Sequence, residues 1–478
     1  MNDSKRFDTK VQELKYKVLR EVARHAYNGD LLESLMDIPK EIIPGKKPTT
    51  RCCVYKERAI VGDRIKMAMG GDRSNHNIIQ VIETACDECP VGGYEVTSAC
   101  RGCLSHRCEQ ACKRGAISFD EHQKAKIDKT KCVECGRCSA VCPYSAIHNY
   151  QRPCQSACKV KAIDMNDQNI AVVNNDKCIS CGSCVYMCPF GAIMDASFIV
   201  DVIELIKKSQ KNTRYKTYAI VAPAISSQFT YASLGQVVSG LKALGFYHVI
   251  ETALGADLVA WEESKEIEER GLITSSCCPA FVSYISKAFP AMADRISSNP
   301  SPMVRLGMLI KQTDPTAKVI FIGPCTAKKM EFQRPDSRPY VDGVLTFEEL
   351  QAIFDSKDIE LGSLKEDVLD NASYFGRIFA RSGGLSEAAV QAAKERGSDL
   401  VISPTVCNGI EDCKKALLLA SKGLLKSNFI EGMACMGGCI GGAGCLTHEE
   451  KDKSEVDRYG RLALEKTIKD AISIAQEI

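Results

Sequence analysis

The residues best equipped for chemistry are cysteines, 26 of them in 478 residues. In Met433-Ala434-Cys435-Met436-Gly437-Gly438-Cys439-Ile440-Gly441-Gly442 two thiols stand close together among glycines. Glycine lacks a Cβ, so the backbone there can bend sharply and lie against a bulky inorganic group. Thiolates are soft ligands that select zinc, copper(I) or iron–sulfur centres. One pair cannot complete a four-thiolate site. The candidate partners are Cys278, in Ser275-Ser276-Cys277-Cys278-Pro279, and Cys325, in Pro324-Cys325-Thr326-Ala327-Lys328. On residue types alone, a structural zinc site stays open for this set.

Between Cys86 and Cys188 the chain repeats itself. Four half-repeats share one ending: Cys112-Lys-Arg-Gly-Ala-Ile, Cys142-Pro-Tyr-Ser-Ala-Ile, Cys158-Lys-Val-Lys-Ala-Ile and Cys188-Pro-Phe-Gly-Ala-Ile. Two full C-x2-C-x2-C-x3-C-P runs occur, Cys132-Cys135-Cys138-Cys142 and Cys178-Cys181-Cys184-Cys188. In such a run the first three cysteines hold one cubane and the last serves its neighbour. The crossing rule joins Cys112 to Cys132, Cys135 and Cys138. It joins Cys142 to Cys100, Cys103 and Cys108, and Cys158 to Cys178, Cys181 and Cys184. Cys154 and Cys188 then need Cys86 and Cys89 to complete a fourth [4Fe-4S] site; otherwise Cys86 and Cys89 are idle. His106 reads as solvent-facing, because thiolates already fill the count. Adjacent Cys52 and Cys53 read as structural.

These sites need elements to position them. Apolar residues at helical spacing predict a helix over 7–28 and a second over 31–43, then a linker over 44–50. Short strands are expected beside the cysteines, at 116–118 and 170–173, and a connecting helix over 195–209. Beyond it, strand-like runs at 218–223, 248–253, 272–275, 319–323, 400–403 and 429–433 alternate with helical ones, which is the pattern of an α/β architecture. The three isolated cysteine stretches each follow such a strand, where ligands commonly bind. The length predicts two or three domains. The divisions read are a helical segment 1–85, a ferredoxin-like domain 86–198 and a catalytic domain 199–478. A net charge of +2 gives no nucleic-acid footprint. No apolar leader, adjacent arginine pair near the start or membrane-length apolar run is read. A reducing cytoplasm is therefore expected.

The stretches around Cys278, Cys325 and Cys435–Cys439 together resemble the three signature motifs of the iron-only, or [FeFe], hydrogenases, over roughly residues 215–450. The resemblance implies an α/β catalytic domain of that type, two lobes around an H-cluster, preceded by an α+β ferredoxin-like [4Fe-4S] domain and a short helical N-terminal segment. It implies a [4Fe-4S] cubane on Cys278, Cys325, Cys435 and Cys439. Cys439 would bridge to a diiron unit carrying CO, cyanide and an azadithiolate. Cys277 matches the family's proton-relaying thiol; its bland reading is a buried inert thiol. Lys328 matches the lysine that hydrogen-bonds a cyanide, and neighbouring Lys329 reads as a surface lysine. Ala222, Pro223, Ser301 and Met433 match pocket-lining positions. Glu263, Glu266 and Arg270 share one helical face. The resemblance puts Glu263 and Glu266 on a proton path with Ser297 and Glu331.

Some positions depart from the family: Gly323, Phe281, Met303 and Ala443-Gly444-Cys445 leave the ligands intact but change the lining. Cys407, Cys413 and Cys445 receive no role. The implied activity is 2H+ + 2e− ⇌ H2, with electrons wired through the cubanes to ferredoxin or a similar carrier, and with maturation machinery for the diiron unit. Two other readings stand beside it: an H2 sensor, or an iron–sulfur carrier or assembly protein lacking the diiron unit. The carrier, the working direction, oxygen tolerance and oligomeric state are not legible.

Overall fold

The computed structural model describes residues 6–90 and 92–476; residues 1–5, which enter the reading of the N-terminus, lie outside them. Two parallel sheets form the part of the chain beyond the cysteine block. One has four strands, in the order His248–Glu251, Thr217–Val221, Lys318–Ile322 and Gly343–Leu345. The other has three, Ile273–Thr274, Phe429–Met433 and Pro404–Asn408. The central strands read Thr-Tyr-Ala-Ile-Val, Lys-Val-Ile-Phe-Ile and Phe-Ile-Glu-Gly-Met. Such near-continuous apolar runs suit strands covered on both faces. Their carboxyl ends are in register, Val221 beside Ile322 and Glu251, so the loops that follow emerge together. Among the described residues, no helix is long and apolar enough to cross a membrane.

The helices set the frame. Thr9 caps the Lys10–Asn28 helix in a capping box with Gln12, so the helix starts later than expected. One apolar core continues from it into the four-stranded sheet. The single helix expected over 31–43 is two, Leu31–Ser34 and Ile38–Ile42. Pro39 has no N–H to continue an earlier helix and sits instead in the first turn of the second. A helix the periodicity did not reveal, Val54–Ala68, is capped by Cys53, whose Sγ accepts from the Lys56 N–H. The strand expected over 248–253 stops at Glu251, where the Thr252–Arg270 helix begins. No strand forms at 400–403; the strand starts at Pro404. There the Asn428 amide donates to the Val401 carbonyl and accepts from the Ser403 N–H. A side chain thus satisfies that backbone in place of a ladder, and Val401 stays exposed.

Lys329 is not a surface lysine. It is fully buried, 2.7 Å from both Asp195 and Glu349. Lys15 of the N-terminal helix lies 2.7 Å from Asp195 and from Glu348. Asp195 ends the last ferredoxin-like strand, so one buried ion network joins the N-terminal helix, the cluster-binding block and the catalytic sheets. His106 is half-buried and stacks on Phe119 at 3.8 Å rather than facing solvent.

Candidate metal centres and proton path

Strand pairing divides the cysteine block into two units. Gly93–Val96 pairs with Ile147–Tyr150, enclosing an outer unit. Ile79–Val81 pairs with Ile193–Asp195, which folds Cys86 and Cys89 back onto the inner unit. Cys112, Cys132, Cys135 and Cys138 line one cavity of about 210 Å³. Cys100, Cys103, Cys108 and Cys142 line a smaller one of about 20 Å³. Burial, and then Cys181, Cys178 and Cys158, push the Cys184 thiol well above its ordinary value. Burial, and then Cys188, Cys86 and Cys89, push Cys154 up to about 11. These neighbours define four groups of four thiols.

The repeated Cys-x3-Ala-Ile ending has a physical cause. The N–H of Ala116, Ala146, Ala162 and Ala192 donates to Sγ of Cys112, Cys142, Cys158 and Cys188 at 3.1–3.3 Å. Hydrogen bonds to sulfur favour its charged form and tune a cluster. Each following isoleucine is buried. Among the described residues, no three His, Cys, Asp or Glu side chains converge tightly enough for a single metal ion. At the Cys132 site the thiols enclose room instead, which fits a cubane.

The catalytic cradle draws on both sheets. Cys278 caps the Pro279–Ala288 helix and Cys325 the Thr326–Glu331 helix. Cys435 and Cys439 follow the Phe429–Met433 strand. Between them Gly437 and Gly438 have φ of 82° and 93°, the left-handed region that favours glycine. Burial, then Cys278 and Cys439, push Cys325 up to about 12, against the pull of Lys328. Burial, then Cys325, Cys278, Cys181 and Cys439, raise Cys435 well above its usual value. The donors are thus four converging thiols with a cation beside them, a set that suits an anionic cubane.

Close packing fixes two glycines of the lining. A Cβ at Gly432 would stand 2.1 Å from the Phe281 ring, and one at Gly323 only 2.6 Å from Phe321 and 3.0 Å from Ala222. Met433, Met303 and Ser301 are buried in the same region, and Pro223 opens a short turn after Ala222. The inner cluster loop docks directly here: Thr326 Oγ1 donates to the Ser180 carbonyl at 2.8 Å, and Gly182 abuts Ala443.

A file of polar groups leads away from Cys277, which is itself partly exposed. Burial, and then Glu263, Cys278 and Cys439, raise its thiol well above the ordinary value. Glu263 accepts from the Ser276 N–H at 3.4 Å, and its Oε2 has no partner among the described residues. Burial pushes Glu263 up to about 8, opposed chiefly by the Ser276 N–H. Ser297 Oγ donates to Glu266 at 2.7 Å. Burial alone would raise Glu266, but donors from Ser297, Ser298 and Arg270 hold it below the usual carboxylate range. Arg270 pairs with Glu266 at the exposed end of the helix. Alongside, Lys328 donates to the Cys277 carbonyl at 3.3 Å and to Glu331 at 2.6 Å. Ser276, Ser297, Ser301 and Glu331 face a shared cavity of about 370 Å³.

One buried acid escaped the sequence reading. Glu431 accepts from the Gly383 and Ser386 N–H groups at 2.7 and 2.8 Å, pinning the Gly384–Glu395 helix to the cradle. Its signal was a carboxylate inside an apolar strand.

The chain matches the family described as iron only hydrogenase large subunit, C-terminal domain, over residues 215–443. It also matches a 4Fe-4S dicluster domain over 99–146 and a 4Fe-4S binding domain over 171–194. The periplasmic [Fe] hydrogenase large subunit of Nitratidesulfovibrio vulgaris is 31% identical over 68% of this chain and 87% of its own length. A cytosolic Fe-S cluster assembly factor of Eremothecium gossypii is 33% identical over 28% of this chain and 31% of its own. A solved [FeFe]-hydrogenase shares the fold with a TM-score of 0.50 at 21% identity, covering 59% of this chain and 93% of that one. With [4Fe-4S] domains ahead of a two-sheet, four-thiol catalytic cradle, the chain belongs to the iron-only hydrogenase family.

Proposed function

We propose that this chain is an [FeFe] hydrogenase that interconverts H2 with protons and electrons. Cys278, Cys325, Cys435 and Cys439 would hold the cubane, and Cys439 would also hold a diiron unit bearing CO, cyanide and an azadithiolate. When bound, that unit supplies the centre at which H2 is split or formed. Cys277 hands the proton on, and Glu263, Ser297 and Glu266 carry it to solvent at the end of the helix that Arg270 marks. A carboxyl group held near pH 8 both takes and gives a proton in the neutral range, as a relay requires. Lys328, oriented by Glu331, offers a charged donor suited to cyanide. Ala222, Pro223, Ser301 and Met433 line the pocket.

Electrons pass through four ferredoxin-type clusters, the inner one abutting the cradle, to a carrier such as ferredoxin. In this reading the chain divides at 85/86 and 198/199, works in the cytoplasm and relies on maturation machinery.

The observation that carries the reading is the file that leads from Cys277 through the buried Glu263, Ser297 and Glu266 to the surface at Arg270. It serves no purpose in a protein that only carries clusters. The likeness to an assembly factor favours that second reading over a shorter part of the chain. Infrared spectra of the anaerobically maturated protein decide between them. Bands of metal-bound CO and cyanide together with H2 evolution are expected. A cluster-replete sample without those bands would sink the proposal.

A further inference from the structure

The inner ferredoxin unit contains a feature the hydrogenase reading leaves unused. Around Cys86, Cys89, Cys154 and Cys188 stand two buried arginines, Arg64 and Arg152, and a half-buried third, Arg51. Arg152 is 2% exposed and donates from Nη1 to Cys86 Sγ at 3.9 Å. Its other nitrogens reach the carbonyls of Pro90 and Cys89. Arg64, also 2% exposed, donates to the Phe190 carbonyl at 3.0 Å, while its Nε and Nη1 have no partner among the described residues. Arg51 lies over the Phe190 ring at 5.1 Å and donates to the Ala85 carbonyl at 3.1 Å. Of the three, only Arg51 has carboxylates beside it, the half-exposed Asp87 and Glu88.

A buried guanidinium without a counter-ion costs several kcal/mol. Three of the four thiols here are themselves buried. A cubane on four thiolates is an anion, so it supplies the missing charge. Its negative charge grows by one on reduction. A cation fixed in a low-dielectric site therefore stabilises the reduced form more than the oxidised one, and cluster potentials respond to net charge and to hydrogen bonds at sulfur. The other three sites lack this. Lys113 and Arg114 at the Cys132 site, Arg101 at the Cys100 site and Lys287 beside Cys178 reach solvent, where water and salt screen them.

We propose that Arg152 and Arg64, supported by Arg51, hold the cluster at Cys86–Cys89–Cys154–Cys188 at the most positive potential of the four ferredoxin-type clusters. It then acts as the chain's electron store. An electron from H2 or from the carrier rests there before moving on, with one electron gained and one lost and no other reactant. This rests on the reading that the site holds the fourth cluster. The arginines are positioning residues, since none touches the reacting hydrogen.

The test is an EPR-monitored redox titration of the full cluster-loaded chain, with iron counted on the same sample. The most positive ferredoxin-type couple of the wild type is expected to be the one that Cys154→Ala removes. In Arg152→Gln the iron stays and that couple moves negative. At fixed potential its reduced-to-oxidised ratio falls at least tenfold, about 59 mV for a one-electron couple. Arg152→Lys keeps the charge and holds the ratio within threefold. Should Arg152→Gln shed iron, Arg64→Gln takes its place in the same comparison. The inference is overturned if Cys154→Ala removes some other couple, or if the glutamine variant keeps both its iron and its potential. A wild type with only three ferredoxin-type clusters overturns the four-cluster reading itself, and the iron count separates that failure from the others.

Discussion

Two kinds of four-thiol cradle stand side by side in this chain. In the cluster-binding block every thiol lies within about a hundred residues of its partners, and each half-repeat carries its own alanine N–H to a sulfur. In the catalytic cradle the thiols come from three distant loops that follow strands of two different sheets, joined where the Gly444 N–H donates to the Pro324 carbonyl at 2.9 Å. The first kind is assembled locally, so damage to it stays local. The second depends on long-range packing, so it concentrates the function of the whole chain. Replacing one ligand in each breaks the comparison if it is wrong. Cys278→Ala is expected to abolish H2 turnover and to empty the cradle. Cys154→Ala is expected to remove one cluster yet leave hydrogen–deuterium exchange, which needs no electron carrier, within a few-fold of wild type. Equal loss of exchange in both variants would show that the two cradles are not independent.

The next largest effect separates neighbours inside the catalytic cradle. Cys277 holds no metal in the proposed arrangement, whereas Cys278 does. Cys277→Ala should keep the CO and cyanide infrared bands while turnover falls by roughly 10² to 10⁴, the usual worth of a positioned proton donor. Cys277→Asp should recover part of that loss, because a carboxyl group still relays a proton, and its pH profile should shift. Full H2 evolution in Cys277→Ala would make this thiol a packing residue.

The two cradles also differ in how far they can be read from residues alone. The outer and inner cluster sites follow from spacing because cubane ligation is a local code. The exception is instructive. That Cys86 and Cys89 meet Cys154 and Cys188 depends on a three-residue strand, Ile79–Val81, too short to give a periodic signal. In the catalytic part, strand-then-cysteine order is visible, as is the shared face of Glu263 and Glu266. Burial is not. Lys329 looks like any surface lysine because a charge gives no sign of its counter-ions, and those come from residues 195 and 349. Nor does the sequence show that backbone N–H groups hold Glu431 or that Arg64 and Arg152 are buried.

That buried network gives the third prediction. Lys329→Ala leaves the buried Glu349 without its cation and Asp195 with Lys15 alone. Breaking a buried ion pair from one side destabilises by about 3–5 kcal/mol, so a marked fall in thermal midpoint is expected for the cluster-loaded chain. Replacing an exposed pair such as Lys40–Asp37 should barely move the midpoint, because solvent screens it. Should the two variants melt alike, the network is not what ties the cluster-binding block to the catalytic sheets.

The smallest effect sharpens the contrast between two carboxylates on one helix. Glu263 is held up to about 8, chiefly by burial. Glu266 is held low by its donors, although burial opposes them. In the unfolded chain both ionise near the ordinary glutamate value, about 4.3. Between that pH and about 8 the unfolded chain has released the Glu263 proton and the folded one has kept it. Stability then falls as pH rises, by about 1.4 kcal/mol per pH unit for one proton, and levels off above about 8. Glu263→Gln cannot titrate, so its midpoint relative to wild type should climb across pH 5 to 8. Glu266 works in the opposite sense. Its stabilisation is complete above the ordinary carboxylate value and is lost only as pH falls through its lowered one. Glu266→Gln should therefore run parallel to wild type across the same window and converge with it in acid. Thermal unfolding of the three proteins at matched pH values reads both trends. A Glu263→Gln curve parallel to wild type would mean that this carboxyl group is ionised in the folded protein, which would remove the neutral relay on which the proposed proton path depends.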